Sequence, residues 1–153
     1  VGEPDVTVEY REKLEDALKY QDFVKHELYK RGIPIVFNDS RHYQYTEGEN
    51  ILGIEIKNDK RFRDTGNLYI ETAEKTNASN ESFVPSGICR EDNSWLYLIG
   101  DYQTIYIFGI NTLNWMHRKN KYERRETETS QGFLLPLATA EICAVRIIKI
   151  ETK

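Results

Sequence analysis

Residues 48–59 read GENILGIEIKND. Ile54 and Ile56 alternate with Glu55 and Lys57, the period-two pattern of a strand with one apolar face. Side chains at i and i+2 share a face, so Glu55 and Lys57 point one way and the two isoleucines the other. The spacing predicts a strand over Ile51–Lys57, entered through a turn at Gly48-Glu49-Asn50. A bend there brings the Glu49 carboxylate back toward that of Glu55. Two carboxylates so placed repel unless a proton or a cation lies between them. Magnesium suits such a place, because it keeps several waters and needs only one or two protein carboxylates. A lysine alongside can orient or help deprotonate a water, or steady charge on a phosphate oxygen. The competing reading is a solvated strand face whose Glu and Lys form cross-strand pairs of modest value.

Working outward, residues 1–8 read as an arm, and Glu9–Arg31 as a helix. Leu14, Ala17, Leu18, Val24 and Leu28 share its broad apolar face, and Gly32 is its stop. Ile33–Phe37 reads as a first strand, with Pro34 at its start or edge, and residues 41–47 as a short extended piece. After the charged connection 58–66, Asn67–Ala73 is the next strand. Residues 76–94 are polar, with one helical turn expected near Ser86. Trp95–Ile99 and Thr104–Phe108 flank Gly100-Asp101-Tyr102-Gln103 as a hairpin. Asn111–Arg118 reads as a short helix, residues 119–131 as a polar excursion and Val145–Ile150 as a last strand. No repeat or linker interrupts the pattern. One domain over residues 9–153 is expected, of α/β class, with a mixed sheet flanked by helices.

The chain has 153 residues, 39% of them apolar and 30% charged, and a formal net charge of −4. That suffices for one core and argues against indiscriminate polyanion binding, though a local basic face fits an acidic protein. No run of 18 apolar residues suggests a membrane span. Cys89 and Cys143 lack metal-ligand spacing, which fits a cytoplasmic protein with free thiols.

The order helix, turn, acid, short gap, then E-x-K on a strand resembles the PD-(D/E)xK nucleases. These include many type II restriction enzymes, mismatch-repair nickases and junction resolvases. The nickase type is the nearer likeness, with an acid followed within a few residues by G-x-E-x-K, here Glu49 and then Gly53-Ile54-Glu55-Ile56-Lys57. The family's proline and aspartate are Gly48 and Glu49 here, and the gap between the acids is short. The resemblance covers about residues 20–75 and implies a restriction-endonuclease-like fold and Mg²⁺-dependent hydrolysis of DNA, with Mn²⁺ as a substitute. It makes Glu49, Glu55 and the Ile56 carbonyl metal ligands and Lys57 the residue that supports the nucleophile. It also implies an acid on the first helix, for which Asp22, ten residues before Gly32, is the first choice and Glu15 and Glu27 are weaker. An enzyme this small could cut both strands as a homodimer, one site per strand, or serve as a repair, phage or mobile-element nuclease.

Tyr69, Glu71 and Ala73 share a face. Paired antiparallel with residues 51–57, that strand sets Glu71 near Glu55 and Lys57, as a site member or as the salt partner of Lys57. A second register gives the E-x-K role to Glu71, with Ala73 in the lysine position and Lys57 supplying the amine from a neighbouring strand. Asp59 shares the parity of Glu55 and is expected to be solvated. Lys60, Arg61 and Arg63, with the turn at Thr65-Gly66-Asn67, suit phosphate contacts, and Gln44 a phosphate, water or base edge. Lys119, Lys121, Arg124 and Arg125 form a second basic run, interleaved with Trp115 and Tyr122. A non-catalytic nucleic-acid-binding or interaction domain with a nuclease-like fold is the alternative function.

Overall fold

The computed structural model describes residues 8–37, 48–50 and 52–151. It is a mixed α/β structure with two four-stranded sheets and, among the described residues, four helices. The expected arm and the extended piece at 41–47 lie outside these residues, except that Val8 already belongs to the first helix.

Helix α1 spans Val8–Tyr29. Gly32, at φ 85°, ends it: its N–H donates to the Tyr29 carbonyl, and the Ile33 N–H reaches back to Leu28. This paired closure needs a left-handed residue, which glycine adopts without strain. The inward stripe differs from the expected one. Tyr20, Val24 and Leu28 are buried, whereas Leu14 and Leu18 are 43% and 48% exposed. Only the second half of α1 meets the sheet. Ile33–Phe37 forms no strand, and its single ladder contact is the bridge from Phe37 to Asn50.

The first sheet has the order β1 (Ile54–Asn58), β4 (Leu96–Gly100), β5 (Thr104–Gly109), β8 (Arg146–Lys149). β1 runs parallel to β4, and the remaining pairs are antiparallel. The β4–β5 hairpin forms as the sequence indicates. Asp101 closes its loop, Oδ1 accepting the N–H groups of Gln103 and Thr104 at 2.8 and 2.9 Å. The second sheet is antiparallel throughout, in the order β3 (Val84–Pro85), β2 (Asn67–Glu74), β7 (Ser130–Pro136), β6 (Arg124–Glu126). The polar excursion at 119–131 therefore holds β6 and the start of β7, its charged side chains lying on an exposed edge strand. The remaining helices are α2 (Phe62–Thr65), α3 (Ile110–Lys119) and α4 (Leu137–Cys143), with a 3-10 turn at Gly87–Cys89.

The expected single sheet is thus divided, and β2 does not pair with β1. Along Asn67–Glu74 its partner is β7, and the connection from β1 is taken up by α2. Alternation sorts the first sheet into two faces. Ile54, Ile56, Leu98, Ile105 and Ile107 pack with Tyr20, Val24 and Leu28 of α1. On the opposite face Tyr97, Ile99, Tyr106 and Phe108 pack with Leu68 and Ile70 of β2, Phe133 and Leu135 of β7, and Leu113 and Met116 of α3. Full burial of each such aliphatic or aromatic group contributes about 1.5–3 kcal/mol. No helix of the described residues is long and apolar enough to cross a membrane.

Candidate functional site

β1 is an edge strand, and its entrance is built by side chains. Asn50, 1% exposed, brackets the first residue of β1: Nδ2 donates to the Ile54 carbonyl at 2.6 Å, and Oδ1 accepts the Ile54 N–H at 2.9 Å. Asn93 Nδ2 donates in turn to the Asn50 carbonyl at 2.7 Å. Gly53 stands at φ 71°, where a Cβ would fall 2.5 Å from the Asn93 carbonyl oxygen and from Trp95 Cδ1. The bend returns Glu49 to the free edge of β1, where Oε2 accepts the Ile56 N–H at 3.3 Å. A strand residue's N–H and C=O leave on the same side, so the Ile56 carbonyl faces the edge that carries Glu49.

Glu55 is 1% exposed, and neither of its carboxylate oxygens has a hydrogen-bond partner. Lys57 Nζ stands 3.7 Å from Oε1. Burial pushes the Glu55 carboxyl up to about 7; Lys57 opposes the shift, while Glu49 and Asp92 add to it. Burial also raises Glu49, against the pull of Lys57 and the Ile56 N–H. Burial pulls the Lys57 ammonium down, but Glu55, Glu71 and Glu49 outweigh it and hold the proton above the ordinary lysine range.

Glu71 reaches this group by a route that strand pairing would not give. Its Oε2 is 3.7 Å from Lys57 Nζ, and its Oε1 accepts from Ser130 Oγ at 3.0 Å. Ser130 Oγ is 2.7 Å from the Tyr69 hydroxyl. A polar chain therefore runs Tyr69, Ser130, Glu71, Lys57, Glu55 across both sheets. The 3.7 Å approach of Lys57 to Glu71 is common to both registers, since the one with Ala73 in the lysine position also takes its amine from Lys57.

Asp92 was not singled out by sequence reasoning. Its side chain is 1% exposed, with Oδ2 3.3 Å from Arg90 Nε and Oδ1 accepting the Ser94 N–H at 2.8 Å, and its charge raises both Glu55 and Glu49. The signal lies in topology: parallel β1 and β4 have their entrances side by side, so the loop before β4 meets the loop before β1. Tyr97 was also missed. It is the register partner of Glu55, is fully buried, and has a hydroxyl with no hydrogen-bond partner. Burial, with Glu55 next, holds that phenol well above its ordinary range.

Several expected residues stand elsewhere. Asp22 is exposed and lines a shallow groove with Lys25, His26 and Pro34. It belongs to α1, which covers the Ile54–Ile56 face, so the sheet lies between it and the Glu55 face. Glu27 is buried, but Lys30 and Arg31 hold it at 3.1 and 3.0 Å. Arg63 is committed to the hairpin, donating to Asp101 Oδ2 at 2.6 Å and to Thr104 Oγ1 at 3.1 Å. The Thr65 hydroxyl closes its own turn with the Asn67 N–H and carbonyl. Lys60 Nζ pairs with Asp16 Oδ2 at 2.5 Å. Arg61 is exposed. Asp59 is not merely solvated: it accepts the N–H groups of Arg61 and Tyr69, both at 2.9 Å, and ties β1 to β2. Gln44 lies outside the described residues.

Among the described residues, no three His, Cys, Asp or Glu side chains converge as they would around a metal ion. Glu49, held at the β1 edge by the Ile56 N–H, acts on the Glu55 carboxyl through its charge, and the bare Glu55 oxygens fit a hard cation. No protein-family model, curated protein or solved structure matches this chain.

Proposed function

We propose that this chain is a Mg²⁺-dependent endonuclease that hydrolyses DNA phosphodiester bonds, on a restriction-endonuclease-like mixed sheet flanked by helices. The observation that carries this reading is Glu55. A buried carboxylate normally accepts several hydrogen bonds, and this one accepts none while facing Glu49 and Lys57. Glu49, Glu55 and the Ile56 carbonyl would hold the ion, a small oxygen set that leaves room for waters, and Mn²⁺ would substitute. Bound there, the ion would neutralise phosphate charge and lower the pKa of water.

The chain's own groups then have distinct tasks. Lys57 would act as a cation toward a phosphate oxygen or as a group that orients the attacking water, its ammonium favoured by Glu55, Glu71 and Glu49. Glu71, fixed by Ser130, keeps the ammonium over the site. Water adds across the P–O3′ bond: its oxygen bonds to phosphorus and the 3′ oxygen leaves with a proton, giving a 5′-phosphate and a 3′-hydroxyl. A homodimer would present one such site to each strand.

The second reading, a non-catalytic nucleic-acid-binding domain with the same fold, is favoured by the lack, among the described residues, of a third converging carboxylate. Incubation of supercoiled, linear and branched DNA with Mg²⁺ or Mn²⁺ separates the two. Metal-dependent cutting by the native protein, lost in folded Glu55→Gln and Lys57→Ala variants, supports the enzyme. DNA binding without cutting on any substrate selects the second reading.

A further inference from the structure

Two exposed tryptophans and three cations lie on and beside α3, outside the carboxylate–lysine site. Trp95 and Trp115 are 61% and 48% exposed. Trp95 stands beside the entrance of β1, its Nε1–H donating to the Leu52 carbonyl at 2.6 Å, and its own carbonyl accepts the Ile110 N–H that begins α3. α3 buries Ile110, Leu113 and Met116 and turns Trp115, Arg118 and Lys119 outward. The Lys119 and Lys121 ammonium groups lie 5.7 and 5.9 Å from the centre of the Trp115 ring, within the reach at which a cation is attracted to an aromatic face.

Of the neighbouring cations among the described residues, Arg124 has a neutral acceptor and Arg125 an anion. Arg124 donates to Asn120 Oδ1, and Arg125 pairs with Glu123 at 3.5 Å. Arg118, Lys119 and Lys121 form no ion pair among the described residues. Residues 118–125 hold five Lys and Arg against one Glu, in a chain of net charge −4. The basic contacts first expected near β1 are reduced, because Arg63 is committed to Asp101 and Lys60 to Asp16.

We infer that this surface holds the phosphate backbone of the DNA strand flanking the scissile bond; the choice of DNA rests on the nuclease reading. α3 has ten residues, so it extends about 15 Å, roughly four phosphate steps along one strand. The surface starts beside the strand that carries Glu55 and ends in unpaired cations, so a strand engaged at the site has its flank directed along it. Backbone contacts of this kind position the substrate without reading its sequence.

The test is fluorescence anisotropy with a labelled duplex in EDTA, over a salt series, comparing native protein with Lys119→Ala/Lys121→Ala, and cleavage kinetics in Mg²⁺ on the same pair. Both residues are exposed, and circular dichroism confirms that the variant is folded. The expected result is a loss of about tenfold or more in affinity, equal on two unrelated sequences, with the log–log salt slope reduced by about 1.8. In cleavage, KM rises and kcat holds. Unchanged affinity, slope and KM overturn the inference and leave the nuclease reading standing. Native protein that binds in this way but never cuts keeps the binding surface and removes the nuclease. Native protein that binds no duplex overturns the binding surface.

Discussion

Lys57 Nζ lies 3.7 Å from Glu71 Oε2 although the two residues belong to strands of different sheets. The same ammonium is 3.7 Å from Glu55, so one cation joins two carboxylates that strand pairing does not bring together. Lys57→Met keeps the aliphatic stem and removes the charge. The expected outcome is a fall in kcat of about 10²–10³-fold, the range seen when one preorganised donor is lost. Steady-state cleavage with a folded variant checks this, and activity within threefold of native would remove Lys57 from the chemistry.

Glu55 sets a pH dependence of stability. Its folded pKa, about 7, lies above its unfolded value near 4.3. Between those values the native state binds more protons than the unfolded one, so stability falls as pH rises through the window. Glu55→Gln removes that titration. The variant should therefore melt higher than native protein at pH 8, and the gap should shrink toward pH 5. A gap that is constant with pH in metal-free thermal melts would contradict the burial argument.

Metal binding should reverse that order. A cation at Glu55 and Glu49 competes with protons for the same oxygens, so Mg²⁺ should raise the native melting temperature more at pH 8 than at pH 6. At a hundredfold excess over Kd the stabilisation is about 2.7 kcal/mol. The shift should vanish in Glu55→Gln and return to baseline with EDTA. Asp22→Ala should respond to Mg²⁺ as native protein does, because the sheet separates Asp22 from this edge.

Ser130 is the link between Tyr69 and Glu71. Ser130→Ala frees the Glu71 carboxylate to move and loosens Lys57. Activity should drop about 10–100-fold, as for groups that orient a ligand without touching substrate. The fold should lose only about 1 kcal/mol. Denaturant melts beside kinetics distinguish this from general destabilisation.

Local pattern was legible where one segment dictates its own state. The 54–58 alternation, the Gly32 stop and the Asp101 hairpin all depend on residues close in sequence. The shared face of Glu55 and Lys57 was legible for the same reason. What escaped was long-range. The inward face of α1 depends on how much of the helix the sheet covers, which turned Leu14 and Leu18 outward. The charge of Asp92 acts on Glu49 and Glu55 only because the parallel β1 and β4 set their entrances side by side, and Glu71 arrives through the meeting of two sheets. Arg63 and Thr65 looked like phosphate ligands because charge and hydroxyl are visible in sequence, whereas their partners at Asp101 and Asn67 depend on the folded turn.

Gly53 tests whether the site depends on the geometry of its entrance. Its φ of 71° is a left-handed conformation, and a Cβ would stand 2.5 Å from both the Asn93 carbonyl and the Trp95 ring. Its carbonyl also accepts the N–H groups of Trp95 and Leu96, so the chain cannot relax there without loosening the start of the β1–β4 pairing. Gly53→Ala combines positive-φ strain with overlap against backbone, and should destabilise by about 2–4 kcal/mol. In the fraction that remains folded, Glu49 would no longer be held against the Ile56 N–H, so the Mg²⁺-induced melting shift should fall as well. A variant with native stability and a native Mg²⁺ response would show that Glu49 is positioned by something other than this bend. Gly66→Ala supplies the control, since Gly66 has a similar φ of 75° but open space where its Cβ would stand; it should show the strain alone and keep the metal response.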